Sequence, residues 1–169
     1  FLMKKFILIL LSISYLSISA QGIEFFKGTF DEAKAYAQKE DKLIFMDCYT
    51  TWCGPCKRMS KNVFTKKEAG DYFNENFVNV KMDMEKGEGK ALAKKYSVGS
   101  YPTLFFLDYK GDVVYQTKGA RRDATSLIAL GKKALLPNKK TLQNLQSKWD
   151  SGNRDQKFLK DFMKVKTLL

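Results

Sequence analysis

The sequence predicts an α/β domain followed by a pair of helices. Three observations carry that prediction. Short apolar runs at Leu43–Tyr49, Phe77–Asp83 and Leu104–Asp108 alternate with segments of helical periodicity. A Tyr109-Lys110-Gly111 turn joins the third run to Val113–Thr117, as in a hairpin. Beyond Pro137-Asn138, two amphipathic stretches continue with no strand signal.

Taken in chain order, the first segment is an address rather than a fold element. From Met3 the chain reads Lys4-Lys5, then Phe6-Ile7-Leu8-Ile9-Leu10-Leu11, then a serine-dotted apolar stretch to Ser19-Ala20. A charged start, a short apolar core and a small residue at the end make residues 3–20 a secretory signal peptide cut after Ala20. The alternative is an uncleaved membrane anchor, although the apolar core is shorter than the ~20 residues of a spanning helix and is broken by serines. Cleavage would remove Lys4 and Lys5 and lower the net charge from +12 to +10.

Thr29–Glu40 opens with a cap-like threonine and two acids and continues in good helix formers, with Phe30, Ala33, Ala37 and Tyr36 on one face. Leu43–Tyr49 is almost continuously apolar and reads as a strand buried on both faces. After Thr50-Thr51 comes Trp52-Cys53-Gly54-Pro55-Cys56-Lys57. Its proline fits the first turn of a helix, where a missing N–H costs nothing. That helix should reach about Phe64 with Met59 and Val63 inward, and another should cover Lys66–Glu75. Phe77–Asp83 alternates as a second strand, Lys90–Tyr96 is helical, and Asp123–Leu136 is the last helix of the unit. In the tail, Lys139–Asp150 carries Leu142, Leu145 and Trp149, and Asp155–Leu168 carries Phe158, Leu159, Phe162 and Val165, joined at Ser151-Gly152-Asn153. Thr167-Leu168-Leu169 has neither cap nor breaker, as in a helical region cut short.

Composition narrows the chemistry. The 169 residues are 44% hydrophobic, enough for a packed core, and contain no histidine. That excludes a Ser-His-Asp triad, a Cys-His pair, histidine haem ligation and imidazole zinc sites. Cys48, Cys53 and Cys56 are too few for an all-cysteine zinc or iron–sulfur site, and no metal is expected. The lysines are scattered, with no basic block interleaved with aromatics, so no nucleic acid is expected. The excess charge reads either as a solvated surface or as attraction to an anionic membrane or acidic proteins.

The Cys53-Gly54-Pro55-Cys56 motif carries the chemistry. Two thiols separated by two residues can close a disulfide across one helical turn. At a helix N-terminus the first sulfur meets the positive end of the macrodipole, which favours the attacking thiolate. Cys56, one turn in, should be the more buried and resolve the mixed disulfide. A haem-attachment reading fails because Lys57 stands where histidine is required.

From Phe25 to Leu136 the chain resembles the thioredoxin superfamily. Trp52–Cys56 is identical to the thioredoxin pentapeptide, and Asp47 lies six residues before Cys53, matching the family's buried carboxylate. Tyr101-Pro102-Thr103, with Tyr96-Ser97-Val98 upstream, matches the cis-proline loop, and Gly119-Ala120 matches the glycine that ends the last strand. The resemblance implies a thioredoxin fold, a central mixed sheet flanked by helices, at residues 21–136, with residues 137–169 as a helical hairpin extension. It implies that Cys53 and Cys56 exchange disulfides, that Asp47 accepts the proton of Cys56, and that Pro102 packs against the disulfide. It further implies a client segment held at Trp52, Gly54, Pro55, Tyr101, Thr103 and Gly119. The cofactor would be none beyond the Cys53–Cys56 disulfide itself. Partners would be client proteins with disulfides or thiols and a membrane electron carrier, in the periplasm, or on the membrane if the leader stays uncut. The Gly-Pro pair resembles reducing members; an oxidase, an isomerase, or a redox-sensing binding module using its tail are the alternatives.

Two departures stand out. The lysine that partners the family's buried aspartate has no clear equivalent, since Asn79 falls at its place with Lys81 two residues on. Cys48 is additional, and strand alternation puts it on the opposite sheet face from Asp47, either as a small core residue or as a third redox partner. Asp47 itself is either a proton relay or a satisfied structural carboxylate, with its pKa raised by burial in both cases. Trp52 is either a shield over Cys53 or an exposed aromatic. On residue chemistry alone Pro102 could be trans, since only ~5–6% of X–Pro bonds are cis.

Overall fold

The computed structural model describes residues 22–136 and 139–168. The leader at 3–20 and the Pro137-Asn138 break lie outside them. Among the described residues eleven elements follow in order: α1 Phe30–Glu40, β1 Leu43–Tyr49, α2 Gly54–Asn62, α3 Lys67–Asn76, β2 Phe77–Asp83, α4 Gly89–Lys95, β3 Thr103–Leu107, β4 Val113–Lys118, α5 Ala124–Leu135, α6 Lys139–Asp150 and α7 Gln156–Leu168.

The strands form one mixed sheet in the order β2-β1-β3-β4. β1 runs parallel to β2 and antiparallel to β3, and β3 is antiparallel to β4. The parallel pair is separated by α2 and α3, the crossover that a parallel connection requires. β1 lies inside the sheet, which is why Leu43–Tyr49 is nearly all apolar: the five residues between its ends are fully buried.

Alternation along the strands sends side chains to two cores. Phe45, Leu104 and Phe106 meet Met59, Val63 and Phe64 from the α2 region, Phe73 of α3 and Leu127 of α5. Ile44, Met46, Cys48, Phe105 and Leu107 meet Phe30, Ala33 and Ala37 of α1 and Leu92 of α4. The first core is aromatic. Phe45 lies 4.7 Å from Phe73 and 5.3 Å from Phe106, centroid to centroid, and Phe77 lies 5.2 Å from Phe106. Each such buried ring contributes about 1.5–3 kcal/mol by removal from water.

Local signals explain the helix ends. Thr29 caps α1 reciprocally: its Oγ1 accepts from Glu32 N at 3.2 Å while its own N–H donates to Glu32 Oε2 at 2.7 Å. Tyr36, expected on the apolar face of α1, is instead 44% exposed and only leans its ring on Phe26. α2 stops at Asn62, short of the Phe64 expected from sequence. There the chain turns so that Val63 and Phe64 enter the core, both N–H groups reaching Met59 O. Asp123 caps α5 by accepting from Ser126 N at 2.7 Å.

Residues 22–26 lie along the outer side of β2, with Phe26 N donating to Asn79 O and Ile23 N to Phe64 O, each at 2.7 Å. In the tail, Trp149 of α6 stacks on Phe162 of α7 at 4.6 Å, and the Arg154 guanidinium lies 3.8 Å over Trp149. Gly152 turns the hairpin at φ +81°, a left-handed conformation suited to glycine.

Candidate active site

The reactive pair sits where β1 hands over to α2. Cys53 N donates to Thr50 O at 3.2 Å, closing the turn that carries the chain off the strand. Cys53 is the N-cap of α2, in extended conformation, and its Sγ accepts the N–H of Cys56 at 3.1 Å. A sulfur at an N-cap receives a helix donor that otherwise has no intrahelical partner, and it feels the helix macrodipole. Both effects favour the thiolate once the bond is reduced. Pro55 occupies the first turn, where its missing N–H removes no helical hydrogen bond. The two cysteines are joined in a disulfide with Cα atoms 5.3 Å apart. Cys53 and Cys56 are 3% and 2% exposed, so the greater burial expected of Cys56 does not separate them in this oxidised state.

Asp47 lies on β1, on the same sheet face as Phe45 and therefore on the side of α2. It is fully buried, and neither carboxylate oxygen has a hydrogen-bond partner among the described residues. Burial pushes its pKa up to about 7, with the nearby Lys81 charge pulling the other way. Here the structure corrects the assignment made from sequence spacing. In the parallel β1–β2 register Phe45 faces Asn79 and Asp47 faces Lys81, so Lys81 is the cation beside the carboxylate. Asn79 instead ties down the N-terminal segment, its Nδ2 donating to Glu24 O at 3.2 Å and Asn74 Oδ1 at 3.1 Å.

Ser60 and three rings hold Lys81. Its Nζ donates to Ser60 Oγ of α2 and lies 5.7, 5.0 and 5.6 Å from the ring centroids of Phe25, Tyr49 and Phe64. Cation–π attraction of this kind steadies an ammonium that is only partly solvated. Sequence reasoning did not single out Ser60. Its spacing of four from Cys56 puts the two on one face of α2, and that spacing was the available signal.

The Tyr101–Pro102 peptide bond is cis. Gly119, at φ +86°, donates its N–H to Pro102 O at 2.8 Å, so the end of β4 is fastened to this loop. Thr103 is buried, and its hydroxyl donates to Ser100 O at 2.7 Å. Trp52 is 65% exposed and held at its edges: Nε1 donates to the Glu85 carboxylate at 3.0 Å, and the ring meets Tyr101 edge-on at 5.8 Å. Glu85, in the loop after β2, was not anticipated from sequence. Gly54 lies beside Arg58, whose Nη1 would be 3.7 Å from a Cβ at that position.

The structure thus gathers Cys53 with Cys56, Asp47 with Lys81, Trp52 with Tyr101, and Pro102 with Gly119. Cys48 stands apart, fully buried in the core against α1 and α4, its thiol pKa pushed up by burial. Among the described residues no group of three or more His, Cys, Asp or Glu side chains could hold a metal ion, and no helix is long and apolar enough to cross a membrane.

Comparison with known proteins agrees with this geometry. A thioredoxin-like family model matches residues 26–108. The solution structure of a candidate disulphide-isomerase from Bacteroides thetaiotaomicron is 53% identical, with a TM-score of 0.62, covering 71% of this chain and 98% of that one. Thioredoxin-1 of Drosophila melanogaster is 40% identical over 77 residues, which is 46% of this chain and 67% of that protein. The thiol:disulfide interchange protein DsbD of Haemophilus influenzae is 27% identical over 107 residues, 62% of this chain and 18% of that protein. With a mixed sheet of this topology and a Cys-x-x-Cys disulfide at the head of α2, the chain belongs to the thioredoxin superfamily and is a thiol–disulfide oxidoreductase.

Proposed function

We propose that the protein is exported to the periplasm and reduces disulfides of client proteins there. The observations that carry the reading are an N-cap sulfur, Cys53, at the head of α2 and a buried carboxylate, Asp47, on the sheet face that α2 covers, whose pKa of about 7 suits proton transfer near neutrality. In the reduced protein the Cys53 thiolate attacks one sulfur of a client disulfide. A Cys53–client bond forms, and the other client sulfur leaves as a thiolate that takes up a proton. Cys56 then gives its proton to Asp47 and attacks Cys53 Sγ. The Cys53–Cys56 bond closes and the second client thiolate departs. The departing client thiolate takes up the proton held on Asp47, so the client has gained two electrons and two protons; the protein has given up two electrons, the proton shed when Cys53 ionised and the proton of Cys56, and regains them from a dithiol carrier in the membrane.

Tyr101, Pro102 and Thr103 would offer backbone to the client, with Trp52, Gly54, Pro55 and Gly119 around it. Export rests on the leader-like sequence at 3–20. The reducing direction rests on the Gly54-Pro55 pair and its resemblance to reducing members. The reaction belongs to residues 21–136, with residues 137–169 as an appendage.

The test is Cys56→Ser in periplasm. Mixed disulfides linked through Cys53 should accumulate on a non-reducing gel and vanish when Cys53 is also replaced; their absence would overturn the reading. The direction is read from the reduction potential of the Cys53/Cys56 pair. A value near ~−270 mV fits a reductant, and one near ~−120 mV an oxidant that forms disulfides in clients.

A further inference from the structure

The active-site rim is electrostatically lopsided. On one side Arg58 lies against the Gly54 backbone, within a residue of Cys53. Arg121 N donates to Met59 Sδ at 3.4 Å, which ties the segment after β4 to α2. The Arg121 guanidinium lies on backbone carbonyls, Nη2 donating to Lys118 O at 3.0 Å and Gly119 O at 3.2 Å, and Gly119 is itself fastened to Pro102. Lys57, Arg58, Lys118 and Arg122 are exposed and Arg121 is half-buried. None of them takes part in an ion pair among the described residues. The acid on this side is Asp123, whose carboxylate accepts Ser126 N as the α5 cap. The other side, beyond Trp52, carries Glu85, bonded to the indole, and Asp83, paired with Lys86 at 3.6 Å.

We propose that the rim formed by Lys57, Arg58, Arg121 and Arg122 selects acidic polypeptide clients, with a carboxylate-rich segment beside the client disulfide crossing the α2–Gly119 side. This deepens the oxidoreductase reading and rests on it. Charge complementarity raises encounter rates between oppositely charged surfaces and suppresses like-charged partners. An arginine already fixed on carbonyls, as Arg121 is, loses little freedom on accepting a carboxylate. The net charge of +10 expected of the chain without its leader, rim included, acts in the same direction at longer range but does not mark a side.

The experiment uses two disulfide-bonded peptides that differ only in flanking residues, glutamates in one and lysines in the other. Their reduction by the protein is followed at about 0.02 M and about 0.2 M salt, where screening differs several-fold in range. The Glu peptide should show kcat/KM on the order of tenfold above the Lys peptide at low salt, with the ratio shrinking at high salt. The combined variant Lys57→Gln, Arg58→Gln, Arg122→Gln spares the packed Arg121 and should bring the ratio close to one. Equal rates for the two peptides with the unmodified protein overturn the acidic preference and leave the oxidoreductase reading standing. Reduction of neither peptide overturns both. If the variant keeps the peptide ratio but loses binding to phosphatidylglycerol vesicles, the rim is a membrane contact and the proposal fails.

Discussion

Replacing Asp47 by Asn should stabilise the folded protein above neutral pH and leave it almost unchanged in acid. The carboxyl is fully buried without a hydrogen-bond partner among the described residues, and its pKa is about 7 against an ordinary 3.8. Between those values the folded carboxyl keeps a proton that the unfolded chain has released, so stability falls by about 1.4 kcal/mol per pH unit. The contribution is fully present below pH 3.8 and is lost as pH rises through about 7, a span worth about 4 kcal/mol. Asparagine has nearly the same shape and cannot ionise, so the variant lacks this slope. The attraction of Lys81 is already contained in that pKa, so the expected gain near pH 8 is about 4 kcal/mol.

The assay is urea unfolding of oxidised wild-type and Asp47→Asn protein at several pH values between about 4.5 and 8. With the disulfide closed, Cys53 and Cys56 do not titrate, and Cys48 contributes equally to both proteins. The stability difference should open with increasing pH. A difference that stays constant across the range would refute the reasoning, because it would mean that Asp47 does not change charge there.

Two further substitutions probe the frame. Gly131→Ala on α5 would bring a Cβ to 2.8 Å from Tyr72 Cε1 and 3.1 Å from Phe77 Cε2; a loss of about 1–3 kcal/mol in urea unfolding is expected from the overpacking. Thr29→Ala removes the α1 cap and should cost about 1 kcal/mol by the same measurement, with disulfide exchange unaffected. Truncation after Leu136 should leave exchange on a small disulfide substrate intact by a standard turnover assay; loss of turnover would mean that the tail belongs to the reacting unit.

Much of the fold was legible because local physics dictated it. Leu43–Tyr49 and Phe77–Asp83 appear as strands with the ends read from their apolar pattern, since each is bounded by polar residues and turns. Helix ends shifted by a residue or two, most visibly in α2, where the demand of the core for Val63 and Phe64 outweighs continued helix. The Asp47 partner was not legible, for a specific reason. Asn79 and Lys81 lie two apart on β2 and share one face, so periodicity cannot choose between them; only the register across a crossover of two helices does. Trp52–Glu85 and Lys81–Ser60 are likewise contacts between segments far apart in sequence, set by how loops and helices meet across the sheet edge.

The position of Cys48 has a use beyond packing. In the oxidised protein Cys53 and Cys56 are tied up, and of three cysteines only Cys48 remains a thiol, sealed in the sheet interior. An alkylating reagent can therefore mark the oxidised molecule only when β1 is laid open. Under conditions where reclosing is faster than labelling, the rate of that single mark reports the population of the opened state. The chain thus carries an intrinsic stopwatch for the exposure of its own central strand, wired independently of the couple that exchanges electrons.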